Sequence, residues 1–174
     1  MSQYKKQFIE LFDEYHSGIY RFLRVKLPRD EVAQDLASET FLRAWDYIQR
    51  NPDNYPENPR AYLYKTAYNC LVDYYRKRKE ELPMKDETIQ SIDKLYENDI
   101  VGTVFGKSDI IEIERVFNQI QQLSGDNAQL ITLKYVEDLS NSEIADILGK
   151  PEGTVRVALH RALKELRGKL INGK

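Results

Sequence analysis

The side chains best placed for chemistry cluster between residues 152 and 167. Val155, Ala158 or Leu159, Ala162, Leu163 and Leu166 recur three or four apart, the period of a helix with one apolar side. That pattern opens with Glu152 and Gly153 and turns Thr154, Arg156, Val157, His160, Arg161, Lys164 and Arg167 towards the other faces. Cations and hydrogen-bonding heads on one helix face can hold phosphates and touch base edges. This is the chemistry of binding, without bond making.

The preceding residues supply what would position such a helix. Ser140 and Glu143 have the spacing of a capping box, in which the hydroxyl accepts from the amide of residue 143 and the carboxylate accepts from the amide of Ser140. Ile144, Ala145, Ile147 and Leu148 follow as an apolar stripe, and Gly149 suits the left-handed residue that ends a helix. Pro151 and Glu152 suit the opening of the next one. The unit reads as a helix-turn-helix. A helix about 10–12 Å across fits the major groove, its first residues at base edges and its later cations on phosphates. Two surface helices with a solvated basic face are the plain alternative, but cap, stop, turn and charge all agree on DNA.

A net charge of −2 over 174 residues looks wrong for such a protein until its distribution is examined. Residues 60–79 hold six cations against Asp73 alone, and residues 150–174 hold seven against Glu152 and Glu165. Between them, residues 80–114 carry ten acids and three lysines, a segment that repels DNA.

The first half reads as three helices: Tyr4 to about Lys26, about Asp30 to Gln49, and about Pro59 to Arg78. Phe8, Leu11, Phe12, Tyr15, Ile19, Phe22 and Leu23 face inward on the first; Val32, Leu36, Phe41 or Leu42, Trp45 and Ile48 on the second. Three prolines and three asparagines make residues 51–59 a loop. The third helix interleaves rings and bases: Tyr62, Tyr64, Lys65, Tyr68, Asn69, Tyr74, Tyr75, then Arg76, Lys77 and Arg78 after Arg60 at its start. Aromatic platforms stack unpaired bases, worth roughly 1–3 kcal/mol each, while cations follow the backbone, so this island suits an open strand. Tyr64, Tyr68 and Tyr75 serve equally as core residues with hydroxyls at the rim. Asn51, Asp53, Asn54, Tyr55 and Asn58 in the loop can bond base edges or simply face water. Residues 80–108 are the expected linker, in which Ile89, Ile92, Leu95 and Tyr96 have helical spacing; further helices are expected over Ile110–Leu123 and from Ser124 to about Tyr135 or Glu137.

Three blocks resemble one family. Gln34 to Trp45, Pro59 to Arg78 and the helix-turn-helix, in that order, are similar to the extracytoplasmic-function (ECF, group IV) RNA polymerase sigma factors of the sigma-70 family. The resemblance implies an all-α fold of two small helical domains joined by an acidic linker, the C-terminal one containing the helix-turn-helix. It implies a region 2-like domain at 1–79 that binds the clamp of core RNA polymerase and the minus-10 element. The linker spans 80–108, and a region 4-like domain at 109–174 binds the minus-35 element and touches the β flap. Gln34, Asp35, Glu39 and Arg43 would then meet the β′ clamp. Asn54, Tyr55, Asn58, Arg60, Tyr64, Lys65, Tyr68, Asn69, Arg76, Lys77 and Arg78 would hold the melted strand. Glu152, Gly153, Thr154, Arg156, Val157, His160, Arg161 and Lys164 would read the upstream duplex. Promoter DNA and an anti-sigma factor are the further partners. Tyr68 departs from the family, whose members often carry arginine near that position.

Little points to an enzyme. His16 and His160 lie far apart, Cys70 has no neighbouring histidine, and neither a phosphate-binding glycine loop nor metal-ligand spacing occurs. No catalytic residue, metal, cofactor or small-molecule substrate is expected. Cys70, among Ala67, Leu71 and Tyr74, reads as a structural thiol rather than a redox switch. No apolar run nears the roughly 20 residues that span a bilayer, and no secretory signal opens the chain, so a cytoplasmic protein not embedded in a membrane is expected. The rival reading is a helix-turn-helix regulator that binds an operator without being a polymerase subunit.

Overall fold

Apolar spacing in the first half produces three helices, α1 (Gln3–Arg24), α2 (Asp30–Arg50) and α3 (Pro59–Glu81). They were obtained in a computed structural model that describes residues 3–51, 54–81 and 115–172. The expected linker falls outside the described residues beyond 81, with its possible helix near Ile89–Tyr96, and so do residues 110–114 of the following helix and Asp53 of the loop. Chain resumes as helix at 115–121, then come α4 (Asn127–Ile131), α5 (Asn141–Leu148) and α6 (Glu152–Asn172). All regular structure among the described residues is helical.

α1, α2 and α3 pack side by side around Ile19, Phe22, Leu23, Leu36, Phe41, Leu63 and Tyr64, all buried. Phe12, expected inward on α1, stays partly exposed, its ring against Phe41 at 4.8 Å. The choice between Phe41 and Leu42 resolves to Phe41; Leu42 is 65% exposed. Tyr75 sits at the rim and donates its hydroxyl to the Lys26 carbonyl, tying α3 to the α1–α2 turn.

Sequence periodicity carried α4 on to about Tyr135 or Glu137 as one helix. Instead Thr132–Val136 widens into a π-helical turn, where the Glu137 amide donates to the Thr132 carbonyl at 2.9 Å and the Leu139 amide to Leu133 at 2.9 Å. Asp138 then takes φ 51°, a left-handed conformation that Asp tolerates, and the chain reverses into α5. The local rules for the next two elements hold. Ser140 and Glu143 form the capping box, and Gly149 closes α5 at φ 62°, ψ 35°.

The two halves share their interior. Leu130, Leu133, Leu139, Ile144 and Leu148 lie in one buried cluster with the residues of α1, α2 and α3, and α5 packs on α3. A second cluster joins Val25 at the end of α1 to Ile120, Leu123, Ala128, Ile131 and Ala162.

Candidate nucleic-acid interface

α6 is built with two opposite faces. Val155, Leu159 and Ala162 are buried, whereas Glu152, Gly153, Thr154, Arg156, Val157, His160, Arg161 and Lys164 are all exposed. The Pro151 carbonyl accepts from the Val155 amide at 3.1 Å, so Pro151 sits just outside the first turn where its missing amide costs nothing. Arg156 folds back onto Glu152 at 3.1 Å, a solvent-exposed pair across one helical turn that a phosphate or base can replace at little cost. An open hollow of about 610 Å³ lies between the 124–127 loop and the start of α6, with Gly153, Thr154, Val157 and Arg161 on its walls. Glu165 pins that loop to α6, accepting from the Ser124 amide at 2.9 Å, the Ser124 hydroxyl at 2.9 Å and Asn127 at 2.7 Å. Burial alone would raise the Glu165 carboxyl, but these donors outweigh it and hold it below its ordinary value.

The basic island of α3 divides in two. Lys65, Asn69, Arg76 and Lys77 are exposed, and Arg78 rests on the Tyr74 hydroxyl at 3.2 Å. Nearer the start of the helix the groups are engaged by the second half of the chain. Asn58 accepts from the Ala61 amide at 2.9 Å, capping α3, and donates to Glu143 at 3.0 Å. Tyr68 is half-buried, its hydroxyl raised by burial first and by the nearby charge of Asp126 second. Tyr55 and Arg60 are half-buried and Asn54 is exposed, its amide on the Tyr47 hydroxyl at 3.2 Å.

Tyr64 has no exposed surface. Its hydroxyl donates to Glu137 Oε2 at 2.6 Å, and Arg21 donates to Oε1 from Nε at 3.1 Å and Nη2 at 2.9 Å. Burial first, and the hydrogen bond to Glu137 second, push the Tyr64 hydroxyl far above its ordinary value, so it remains a donor. In this arrangement Tyr64 offers no ring for a base to stack on, and the core role open to it in the sequence is the one it occupies. Glu137 and Arg21 were not singled out in the sequence, where both look like surface charges.

On α2 the residues expected to meet a partner lie outward. Gln34 and Asp35 are exposed; Glu39 and Arg43 pair at 2.6 Å, and Arg43 reaches Asp73 on α3 at 3.4 Å. Asp35, Glu39 and Leu42 share one side of the helix by their spacing, which adds an exposed apolar residue to that acidic face. Phe41 is buried and Trp45 packs on Phe8 at 4.9 Å, so both anchor the helix from behind. Cys70 is 1% exposed and its thiol is pushed up by burial, the environment of a packing residue.

Two helical domains, one carrying a helix-turn-helix whose second helix exposes a basic face, define the class of a helical DNA-binding protein. Comparison with known proteins narrows this class. Residues 11–81 match the sigma-70 region 2 model and residues 113–166 match the sigma-70 region 4 model. The ECF RNA polymerase sigma factor SigM of Bacillus subtilis is 30% identical over 159 residues, 91% of each chain. SigW, an ECF RNA polymerase sigma factor of the same organism, is 31% identical over 170 residues, covering 94% of this chain and 88% of that one. In three dimensions the chain is similar to RpoE of Bartonella quintana, solved with the anti-sigma factor NepR, at TM-score 0.70 and 19% identity over 98% of both chains. CnrH, solved with the cytosolic domain of CnrY, superposes at TM-score 0.66 and 20% identity, covering 98% of this chain and 91% of that one. The chain belongs to the ECF RNA polymerase sigma factors of the sigma-70 family. It is an alternative sigma factor, acting with core RNA polymerase in promoter recognition and transcription initiation.

Proposed function

We propose that the work of this group IV sigma factor is divided among three surfaces. α6 reads the minus-35 duplex, with Glu152, Gly153, Thr154, Arg156 and Val157 nearest the base edges and His160, Arg161 and Lys164 further along on the backbone. Asp35 and Glu39, with Gln34 and Arg43 beside them, dock on the polymerase β′ clamp. The loop at 54–58 and the basic face of α3, Arg60, Lys65, Tyr68, Asn69, Arg76, Lys77 and Arg78, follow the melted minus-10 strand. Region 2-like residues 1–79 and region 4-like residues 109–174 are the working units, and the region 4-like unit also touches the β flap. The protein acts in the cytoplasm by binding rather than by catalysis, and an anti-sigma factor restrains it. RpoE of Bartonella quintana was solved with the anti-sigma factor NepR, and CnrH with the cytosolic domain of CnrY.

One observation carries the reading: eight residues of α6, all but Gly153 and Val157 polar or charged, lie exposed on one side while Val155, Leu159 and Ala162 bury the other. The division of labour is tested on the chain carrying Asp35→Lys and Glu39→Lys. Association with purified core polymerase should be lost while binding to a promoter duplex persists; an unchanged association constant removes both residues from the docking surface.

A further inference from the structure

Of the eight exposed residues on the outer side of α6, only Val157 has an apolar side chain. It is 53% exposed, set among Thr154, Arg156, His160, Arg161 and Lys164. Packing within the chain does not use it, because Val155, Leu159 and Ala162 fill the buried side. Thr154, Val157, Ala158 and Arg161 lie three or four residues apart, so they form one strip, and all four wall the open hollow of about 610 Å³ beside the 124–127 loop. Half-buried Ala158 widens the apolar surface next to Val157.

One turn before Val157 stands Gly153. The fold gives other glycines a reason: Gly149 has φ 62°, and at Gly18 a Cβ would stand 2.5 Å from the Tyr64 hydroxyl. Gly153 has neither a positive φ nor a crowded neighbourhood, since a Cβ there meets nothing within 4 Å. Nothing inside the chain requires glycine at this position. Its missing side chain leaves Val157 uncovered and lets the helix backbone come close to whatever this face meets.

A duplex offers a matching group. In the major groove the bases present donors and acceptors, and the C5 methyl of thymine is the apolar exception. Against Val157 that methyl leaves water with no polar atom stranded, whereas the amine of cytosine or adenine would lose its water without gaining an acceptor. A β-branched side chain holds essentially one χ1 rotamer in a helix, so little freedom is lost on contact. Arg156, Arg161 and Lys164 around it supply the charge that attracts the phosphates. We infer that Val157 is a specificity-determining residue that packs on the C5 methyl of one thymine in the minus-35 duplex, with Gly153 letting α6 approach closely enough for the contact. The inference rests on the assignment of α6 to that duplex.

The test uses holoenzyme, assembled from the full chain and purified core polymerase, and promoter duplexes that it selects from genomic fragments. Each thymine of the minus-35 element is replaced in turn by deoxyuridine, which removes the methyl and keeps the hydrogen-bonding edge. At one position the parent should bind about threefold to fivefold more weakly, the effect of one methyl leaving an apolar contact. Cytosine at that position should cost about tenfold or more. Val157→Ala leaves the buried strip intact and should fold as the parent does, and with it the deoxyuridine penalty should disappear. Deoxyuridine tolerated at every position by the parent, or an equal penalty in the parent and Val157→Ala, overturns the inference; weaker duplex binding by Arg156→Ala or Arg161→Ala would still keep α6 on the duplex. Unchanged duplex affinity in all three variants removes α6 from the minus-35 element, and this inference with it.

Discussion

The Tyr64 hydroxyl and the Glu137 carboxylate, 73 residues apart in the chain, meet at 2.6 Å in the interior. Neither group has water to fall back on in this arrangement: Tyr64 is 0% and Glu137 8% exposed. Such a pair contributes modestly when intact and costs much more when one member is removed, because the survivor is left desolvated without a partner.

Glu137→Ala should therefore lower stability by about 1–3 kcal/mol, and Tyr64→Phe should reduce that loss when the two are combined. Urea unfolding of both single variants and the double one measures the coupling, expected at about 0.5–3 kcal/mol. Strict additivity would mean that the two groups do not interact in solution.

The turn of the helix-turn-helix depends on two local rules. Ser140→Ala removes the acceptor for the Glu143 amide and should cost about 1 kcal/mol. Gly149→Ala meets no atom within 4 Å, so its expected cost of about 1–2 kcal/mol comes only from holding a side chain at φ 62°. Each should move the urea midpoint at unchanged slope.

Acid should loosen the same region. Burial raises the Glu143 carboxyl, but the Ser140 amide, the Asn58 amide and the Ser140 hydroxyl, with the charge of Arg60, outweigh it and hold it below its ordinary value of 4.5. A carboxyl depressed by folding contributes stability above its unfolded value, and that contribution is lost as pH falls through the folded one. Glu143→Gln should flatten the decline of stability below pH 4.5 relative to the parent. An identical acid profile would leave the depressed carboxyl without effect on folding.

Arg156→Ala and Arg161→Ala should each weaken binding to a minus-35 duplex while leaving association with core polymerase intact. A base-reading arginine should cost about 1–3 kcal/mol and relax sequence preference, whereas a phosphate contact should lower the salt slope by about 1. Equal loss of duplex and polymerase binding would show that the changes act through folding.

The helix-turn-helix was legible residue by residue because its signals are local: a cap at Ser140, a stop at Gly149, a stripe from Val155 to Leu166. Helix existence in the first half was legible for the same reason. The π-turn at Thr132–Val136 was hidden, since an i to i+5 bond leaves no distinct apolar period over five residues. The shared interior was hidden too. Glu137 and Arg21 were not singled out because their partners lie far away in the chain; Gly18, a glycine inside a strong helical pattern, is the signal that could have marked a close approach. Tyr64 illustrates the limit from the other side: aromatic density on α3 is visible in sequence, but which rings pack and which face solvent is settled by α5 and the turn after α4.

Run-off transcription with purified core polymerase on a library of genomic fragments tests the central claim most directly. The parent chain should yield transcripts from defined start sites that core alone does not produce, and these should vanish with Asp35→Lys and Glu39→Lys. Transcripts no different from core alone, alongside tight dimeric binding to a palindromic duplex, would contradict the account.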